Sequence, residues 1–416
     1  MGVFDCPHST PSLVASGPLV VRSQDIRGGV FRLHEAACVT EETYQERIAR
    51  AEPRFGDLLY SREGTYFGIA AEVPPNVRVC LGQRMVLIRP DPTQINARFL
   101  RFWLNSHTLS SHLYGFRDGT VAERLNMPTI RGLPVPSFLR ADQDAIASIL
   151  GALDDKIELN RRMSATLEAM ARAIFKDWFV DFGPTRAKQE GRQPYLAPEI
   201  WSLFPARLDD DDKPEGWEIR ALVDVATLNP ESWSRANYPE HVEYVDLSNT
   251  KWGSIESTER HGRASAPSRA QRILRSGDTI VGTVRPGNGS FAMVSQHGLT
   301  GSTGFAALRP KAPTYREYLY LAATSPSNID RLSHLADGGA YPAVRPEVVS
   351  ATQIVLSGSA PIEAFHQTTA PLIDRMEANR QENMTLAATR DLLLPKLMSG
   401  ELRVRDAEAA LADTPV

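Results

Sequence analysis

Two stretches of the chain place apolar residues at alternating spacings of three and four, which predicts two long amphipathic helices over residues 141–182 and 361–402. Asp142 suits the N-cap of the first helix, Pro361 suits the first turn of the second, and Pro395 should kink or end the second. The alternation is typical of a coiled coil rather than of a single surface helix. The predicted seam, the line of positions along which the helices would pair, comprises Leu153, Ile157, Asn160, Leu167, Ile174, Trp178, Leu372, Met376, Asn379, Leu386, Leu393 and Leu397.

The two predicted helices are copies of one another. Setting Asp155 on Asp374 without a gap aligns Asn160 with Asn379, both on the seam, where a buried polar residue can fix register. The other aligned pairs are Lys156 with Arg375, Glu158 with Glu377, Arg161 with Arg380 and Leu167 with Leu386. A shorter repeat lies upstream of each helix. Residues 56–59 correspond to residues 277–280, and Arg89-Pro90 corresponds to Arg309-Pro310. The chain therefore contains two copies of a lobe followed by a helix, with internal two-fold pseudosymmetry.

Short apolar runs separated by Gly and Pro predict lobes that are mostly β, with some helix over residues 95–112. A helix of 40 residues is about 60 Å long, and two paired helices that each follow a lobe must run antiparallel. The predicted fold is α/β (α+β), with two pseudo-repeated lobes separated by two long antiparallel coiled-coil helices. The predicted boundaries are 1–140 for the first lobe, 141–182 for its helix, 183–214 for a solvated linker, 215–360 for the second lobe, 361–402 for its helix and 403–416 for a loose tail.

The composition narrows the class of protein. The 416 residues include 42% hydrophobic and 23% charged residues, as in an ordinary soluble protein, and no apolar run is long enough for a membrane span. Three cysteines without CxxC spacing favour a reducing compartment, so we expect a cytoplasmic protein. The net charge of −4 arises from the helices and the linker, while the lobes are neutral to basic. Such a chain would bind DNA most readily together with partner subunits.

Recognisable catalytic motifs are missing from the sequence. Asn229-Pro230-Glu231-Ser232 lacks the second proline and the aromatic residue of an adenine methyltransferase site. Gly282, Gly287 and Gly289 precede a strand-like segment rather than a helix, which favours a β-turn over a phosphate loop. No metal-ligand spacing occurs either. Two lobes, two long helices and no reaction chemistry favour recognition over catalysis.

Residues 154–184 and 379–402 resemble the central and C-terminal repeats of type I restriction–modification specificity subunits. Gly216-Trp217-Glu218 and residues 4–11 also fit the openings of that family's target-recognition domains, although the first lobe lacks the usual leader. The resemblance implies a non-catalytic subunit whose two lobes each read one half of a bipartite double-stranded DNA site. It also implies that the helices set the gap and dock two modification (methyltransferase) subunits, with restriction subunits as possible further partners. This chain would hold no cofactor, whereas S-adenosylmethionine, ATP and Mg would bind to the partner subunits.

Polar and Arg side chains on lobe loops are the expected readers of bases and phosphates. The candidate DNA-binding residues are Arg62, Thr65, Arg117, Arg124, Arg260, Arg263, Arg269, Arg272, Arg285 and Asn288, with Arg275 in the same basic stretch. Three other hypotheses stay open: a DNA methyltransferase or nuclease, a coiled-coil adaptor whose lobes bind proteins, and a truncated, non-functional specificity subunit.

Overall fold

The computed structural model describes residues 1–64, 67–113, 125–339 and 341–404. The chain divides into two compact units, residues 1–159 with 382–416 (unit 1) and residues 160–381 (unit 2). Each unit therefore contains a lobe together with a part of both long helices.

Unit 1 contains a four-stranded sheet in the order β1-β9-β6-β7 and a three-stranded sheet in the order β5-β2-β8. Within the second of these, β2 runs parallel to β8. The strands are β1 (Gly2–Asp5), β2 (Val14–Val21), β3 (Ile26–Arg27), β4 (Val30–Phe31), β5 (Ala37–Cys38), β6 (Leu58–Ser61), β7 (Ala70–Glu72), β8 (Val79–Leu81) and β9 (Met85–Arg89). The helices are α1 (Glu41–Ile48), α2 (Ala97–Leu104), α3 (His107–Leu113), α4 (Met127–Arg131) and the first part of α5 (Arg140–Phe179).

Unit 2 contains four-stranded sheets in the orders β11-β20-β17-β18 and β15-β12-β19-β16, and two-stranded sheets β10-β21 and β13-β14. Its helices are the rest of α5, α6 (Gly183–Gln189), α7 (Pro198–Trp201), α8 (Leu222–Val225), α9 (Arg316–Ala323), α10 (Pro326–Leu335), α11 (Pro346–Ser350) and the first part of α12 (Ser359–Ser399). Its strands are β10 (Glu218–Ala221), β11 (Ala226–Leu228), β12 (His241–Val245), β13 (Thr250–Lys251), β14 (Ser254–Ile255), β15 (Glu259–Gly262), β16 (Ala270–Ile273), β17 (Thr279–Gly282), β18 (Phe291–Met293), β19 (Leu299–Ser302), β20 (Phe305–Pro310) and β21 (Gln353–Leu356).

The sheets of the two units repeat one topology. Strands β1, β9, β6 and β7 correspond in order and direction to β11, β20, β17 and β18. The registers also match, because Leu58 pairs with Ile88 in unit 1 and Thr279 pairs with Leu308 in unit 2. The parallel pair of β2 and β8 likewise has a counterpart in β12 and β19. We call the pair β6 and β7 in unit 1, and the pair β17 and β18 in unit 2, the central hairpin. Each strand position in the central hairpin of one unit thus has an equivalent in the other.

In unit 1 the end of α12 packs on the start of α5. Leu153 joins Leu393 and Leu397 in a core shared with α2. At its edge, Asp154 accepts a hydrogen bond of 2.8 Å from Arg390. Apolar burial along one face of each helix, with ion pairs at the rim, is the expected anatomy of a helix pair.

In unit 2 the same two helices pack through a polar pair and an aromatic cluster. Asn379 is fully buried and its side-chain amide donates to the hydroxyl of Ser164 over 3.2 Å. Further along, the ring of Phe365 meets those of Trp178 and Phe179 at centroid distances of 5.8 and 5.1 Å. Ser164 contacts Asn379, whereas Trp178, later in α5, contacts Phe365, earlier in α12, so the two helices run antiparallel within this unit. Among the seam positions, Leu153, Ile157, Asn160, Trp178, Asn379, Leu393 and Leu397 are buried, and Leu167, Ile174, Leu372, Met376 and Leu386 are partly buried.

The structure differs from the sequence-based expectations at three places. Asp142 lies inside the first turn of α5 rather than at its N-cap. Helix α12 continues past Pro395 to Ser399, so this proline does not end it. Within residues 183–214, expected to be a solvated linker, α6 and α7 form and Phe204 packs into the core of unit 2 with 3% of its surface exposed. Among the described residues, no helix is long and apolar enough to cross a membrane.

Candidate nucleic-acid interface

A buried ion pair fixes the base of the central hairpin in each unit. In unit 2, Asp278 is 1% exposed and accepts hydrogen bonds of 2.8 and 2.9 Å from Arg309. Oδ2 of this carboxylate, which accepts from Nη2 of Arg309, also accepts the backbone N–H of Arg275 at 2.9 Å. In unit 1, Asp57 makes the same contacts with Arg89 and with the backbone N–H of Arg54. Charge-assisted pairs of this kind are directional, so each holds the strand that leads into the hairpin loop.

The two hairpin loops, residues 62–68 and 283–289, have the same length and the same anchors. The backbone N–H groups of Arg62 and Thr283 donate to equivalent carbonyl oxygens across the sheet, at 3.1 and 2.8 Å. Each loop ends on a glycine with positive φ, 77° at Gly68 and 69° at Gly289. At the described ends of the loops the backbones correspond, while the residue identities differ before the shared final glycine, as in two copies of a scaffold that present different surfaces.

Arg62, predicted to read bases, is buried, and this prediction is wrong. Only 3% of the residue is exposed, and its guanidinium lies 3.3 Å from a carboxylate oxygen of Asp5 and 3.4 Å from the ring of His8. Its equivalent, Thr283, is also buried, and so are all four residues of the strand that precedes each of these two positions. The other first-lobe candidates, Thr65, Arg117 and Arg124, lie outside the described residues.

The loop of unit 2 carries the candidates Arg285 and Asn288, which are both exposed. Arg285 has a left-handed backbone with φ of 47°, which costs a non-glycine residue about 1–2 kcal/mol. Its N–H donates to the carbonyl of Pro342 at 2.7 Å, and its carbonyl accepts the N–H of Asn288 at 2.9 Å. The guanidinium carbon lies 4.9 Å from the ring centroid of Tyr341, a residue that is 72% exposed. An arginine and an aromatic ring are thus presented together at the surface.

A second exposed aromatic residue borders this loop. Trp252 is 63% exposed and also has a left-handed backbone, with φ of 43°. Its N–H donates to the carbonyl of Gly289 at 2.7 Å, and a Cβ at Gly289 would approach the indole ring to 2.5 Å. Only glycine fits beneath that ring. Exposed aromatic rings on a constrained backbone are typical of binding surfaces.

Arg260, Arg263 and Arg269 are exposed around the sheet β15-β12-β19-β16. Arg260 lies on the edge strand, 3.9 Å from Glu243, and its side chain is 70% exposed. Arg263 donates to the backbone carbonyl of Arg235 at 2.6 Å, which brings a further exposed arginine beside it. This set can contact phosphates without first breaking a buried ion pair.

Arg272 and Arg275, also predicted to contact phosphates, are engaged in the fold. Arg272 is half-buried and donates to the hydroxyl of Ser232 at 3.3 Å, while desolvation lowers the pKa of its guanidinium. Arg275 forms an ion pair with Glu231 at 2.7 Å. The sequence could not separate these two from their neighbours, because their partners Ser232 and Glu231 lie in a distant part of the chain.

Tyr341 and Trp252 were not among the sequence-based candidates. Neither lies in a periodic pattern, and Tyr341 is distant in sequence from the loop that it contacts. The alignment of residues 56–59 with 277–280 does place Arg285 opposite Gly64, whose φ is 94°. This comparison is the one signal in the sequence that could have marked Arg285 as unusual. In the described ranges, no cluster of His, Cys, Asp and Glu could hold a metal ion.

Comparisons with known proteins point to one class of protein. The chain is 25% identical to the HindI type I restriction enzyme specificity subunit of Haemophilus influenzae, over 83% of this chain and 86% of that protein. It is 22% identical to the MjaIX type I restriction enzyme specificity subunit of Methanocaldococcus jannaschii, over 97% of this chain and 88% of that protein. No family model matches the chain.

The fold is similar to that of a solved protein of the same class. The crystal structure of the type I restriction–modification S subunit from M. genitalium covers 95% of this chain with a TM-score of 0.52 and 14% identity, and the match spans 93% of that protein. The resemblance to type I specificity subunits inferred from the sequence is therefore confirmed.

Proposed function

We propose that this chain is the DNA sequence-specificity subunit of a type I restriction–modification complex and that each lobe reads one half of a bipartite, gapped site. One observation carries the proposal: the two units repeat one sheet topology, with hairpin loops of equal length whose residue identities differ at every described position except the final glycine. A duplicated scaffold with different loop surfaces suits the recognition of two different sequences. The names of the relatives, which are specificity subunits, support the same function.

We further propose roles for the two long helices and for the partner subunits. Helices α5 and α12 set the gap between the half-sites and dock two methyltransferase subunits, and restriction subunits join the same complex. S-adenosylmethionine, ATP and Mg bind to those partner subunits, and this chain supplies specificity and assembly. The buried Asn379–Ser164 pair supports a fixed helix register, because an apolar seam alone would tolerate sliding.

Within unit 2, Arg260, Arg263 and Arg269 contact the phosphate backbone. Each phosphate contact that is lost should lower the slope of log affinity against log salt by about 0.9. We expect the triple variant R260A/R263A/R269A to lower that slope by roughly three. The recognised sequence should stay unchanged, since phosphates carry no sequence information. The measurement is DNA binding by the purified complex of the full chain with its methyltransferase subunits, titrated across salt concentrations.

A charge-matched control removes three arginines that have acidic partners elsewhere in unit 2. The variant R192A/R207A/R220A breaks exposed pairs with Glu190, Glu215 and Glu218. It lowers the charge of the chain by the same amount and should leave the salt slope nearly unchanged. If the two triple variants lowered the salt slope equally, the change would come from the net charge of the chain and not from phosphate contacts of Arg260, Arg263 and Arg269. A complex that binds no DNA at low salt would overturn the proposed function and would favour a protein-binding adaptor.

A further inference from the structure

The two units place different residues at one loop position that has a left-handed backbone conformation. The third loop position needs a positive φ in both, 94° at Gly64 and 47° at Arg285. Glycine adopts this conformation without a steric penalty, whereas arginine does not. Since unit 1 shows that glycine satisfies the scaffold, folding does not explain the arginine in unit 2. The side chain itself must supply the reason for its presence.

The surrounding contacts hold this arginine in one place. Pro286, the next residue, is buried, and a Cβ on Gly287 would lie 2.9 Å from the hydroxyl of Ser333 on α10. Val284 forms a bridge with Ala343, and the N–H of Arg285 donates to the neighbouring Pro342. The loop therefore rests on α10 on one side and on residues 342–343 on the other, so it presents Arg285 from a rigid base.

Tyr341 adds an orienting contact to the guanidinium. Its ring lies 4.9 Å from the guanidinium carbon and is 72% exposed, so it contributes little to a hydrophobic core. An aromatic face restricts the plane of a guanidinium that lies against it. The result is a planar fork of donors with a set position, next to the exposed amide of Asn288.

We propose that Arg285 reads a guanine in the half-site bound by unit 2, and that Tyr341 is a positioning residue for it. The inference rests on the proposed function and deepens it. In the major groove, guanine presents two acceptors, O6 and N7, at the spacing of the arginine fork, and this is the commonest specific contact between proteins and DNA. A phosphate contact needs charge alone, which Arg260 supplies without a strained backbone or an aromatic support.

The test compares N6-methyladenine across the genome in cells that carry the methyltransferase subunits with the wild-type chain or a variant. In R285G, glycine suits the backbone as Gly64 does, so this variant should fold and assemble. We expect it to methylate sites in which one G·C pair of a single half-site has been replaced. Discrimination at that pair should fall about 10-fold or more. R285K keeps the charge but loses the planar fork, and should relax the same position to a smaller extent, since an ammonium group can still donate to O6 or N7.

Variants of the tyrosine separate orientation from overall binding. Y341F keeps the ring and should preserve the motif, whereas Y341A should relax the same G·C position as R285G, to a smaller extent. A change of this kind at one base pair is a readout that a purely structural role for Tyr341 would not produce.

Three outcomes would overturn the inference. In the first, the motif is unchanged in R285G and R285K. In the second, R285G lowers methylation uniformly and R285K restores it, which indicates a phosphate contact. In the third, the relaxed position is not a G·C pair. If the wild-type chain itself directs no methylation motif, the proposed function fails, and that result is distinct from all three.

Discussion

Replacing Phe365 with alanine should weaken the packing of the helix pair against the lobe in unit 2. The side chain is fully buried, and four aromatic rings surround it. The centroids of Phe175, Trp178, Phe179 and Tyr318 lie 6.2, 5.8, 5.1 and 6.4 Å from its own. These residues come from α5 and α9, so this one ring joins both helices to the lobe.

The expected cost follows from this packing. A buried Phe→Ala change typically costs 3–5 kcal/mol, and the value rises when the surroundings cannot collapse into the cavity. Large rings on several sides resist collapse, and pairs of rings at these distances add about 0.5–1.5 kcal/mol each beyond their buried area. We therefore expect F365A to cost about 4–5 kcal/mol of local stability, and F365L, which keeps most of the volume, to cost about 1–2 kcal/mol.

Hydrogen exchange of the full chain measures the loss of local stability for each segment separately. Residues 160–179 and 359–381 should exchange roughly a thousand-fold faster in F365A, because about 1.4 kcal/mol corresponds to a factor of ten. Met170 on α5 is 48% exposed and supplies the control, since M170A should change stability by no more than about 0.5 kcal/mol. A cost in F365A below about 1 kcal/mol, or equal to that in M170A, would refute the assignment of Phe365 as the centre of this core.

Three further predictions follow from single contacts. Asp278→Asn removes the charge opposite Arg309, which keeps its second partner, Glu231. The free energy of unfolding should therefore fall by about 1–3 kcal/mol in denaturant titrations. An unchanged free energy of unfolding would contradict a structural role for the pair. Because Arg275 and Arg309 hold the pKa of Glu231 below its ordinary value of 4.5, the stability from this carboxylate is present above that pH and lost as pH falls through the lower folded pKa. The difference in Tm between wild type and E231Q should therefore shrink on acidification, and a constant difference would argue against this. Burial raises the pKa of Cys80 to about 11, so at pH 7 this thiol should resist alkylation while the partly exposed Cys38 reacts. Mass spectrometry measures the two alkylation rates, and equal rates would contradict this prediction.

The long helices could be predicted closely because their signal is local. Apolar spacing along the chain determines which face is buried, so α5 and α12 end within a few residues of the predicted bounds. Pro395 does not end α12, which continues to Ser399 although proline removes one backbone hydrogen bond of the helix. The strands of the lobes are short, and their pairing depends on residues far apart in sequence, so periodicity identified the lobes as β-rich without giving their order.

At the candidate site, too, local sequence patterns do not show which side chains distant contacts bury. Arg62 and Arg285 looked alike in the sequence, each just beyond a strand and beside glycines. The hairpin register places the first in the interior and the second at the surface, two positions further along its loop. The contact between Arg285 and Tyr341 depends on the pairing of residues 342–343 with the loop, which no local pattern encodes.

The measurement that tests the central claim most directly is N6-methyladenine sequencing of cells with this chain and its methyltransferase subunits, against cells that lack only this chain. The account predicts a split motif with a fixed unspecified gap in the first strain, and its complete loss in the second. Methylation that is unchanged by the deletion would contradict the role of this chain in sequence recognition.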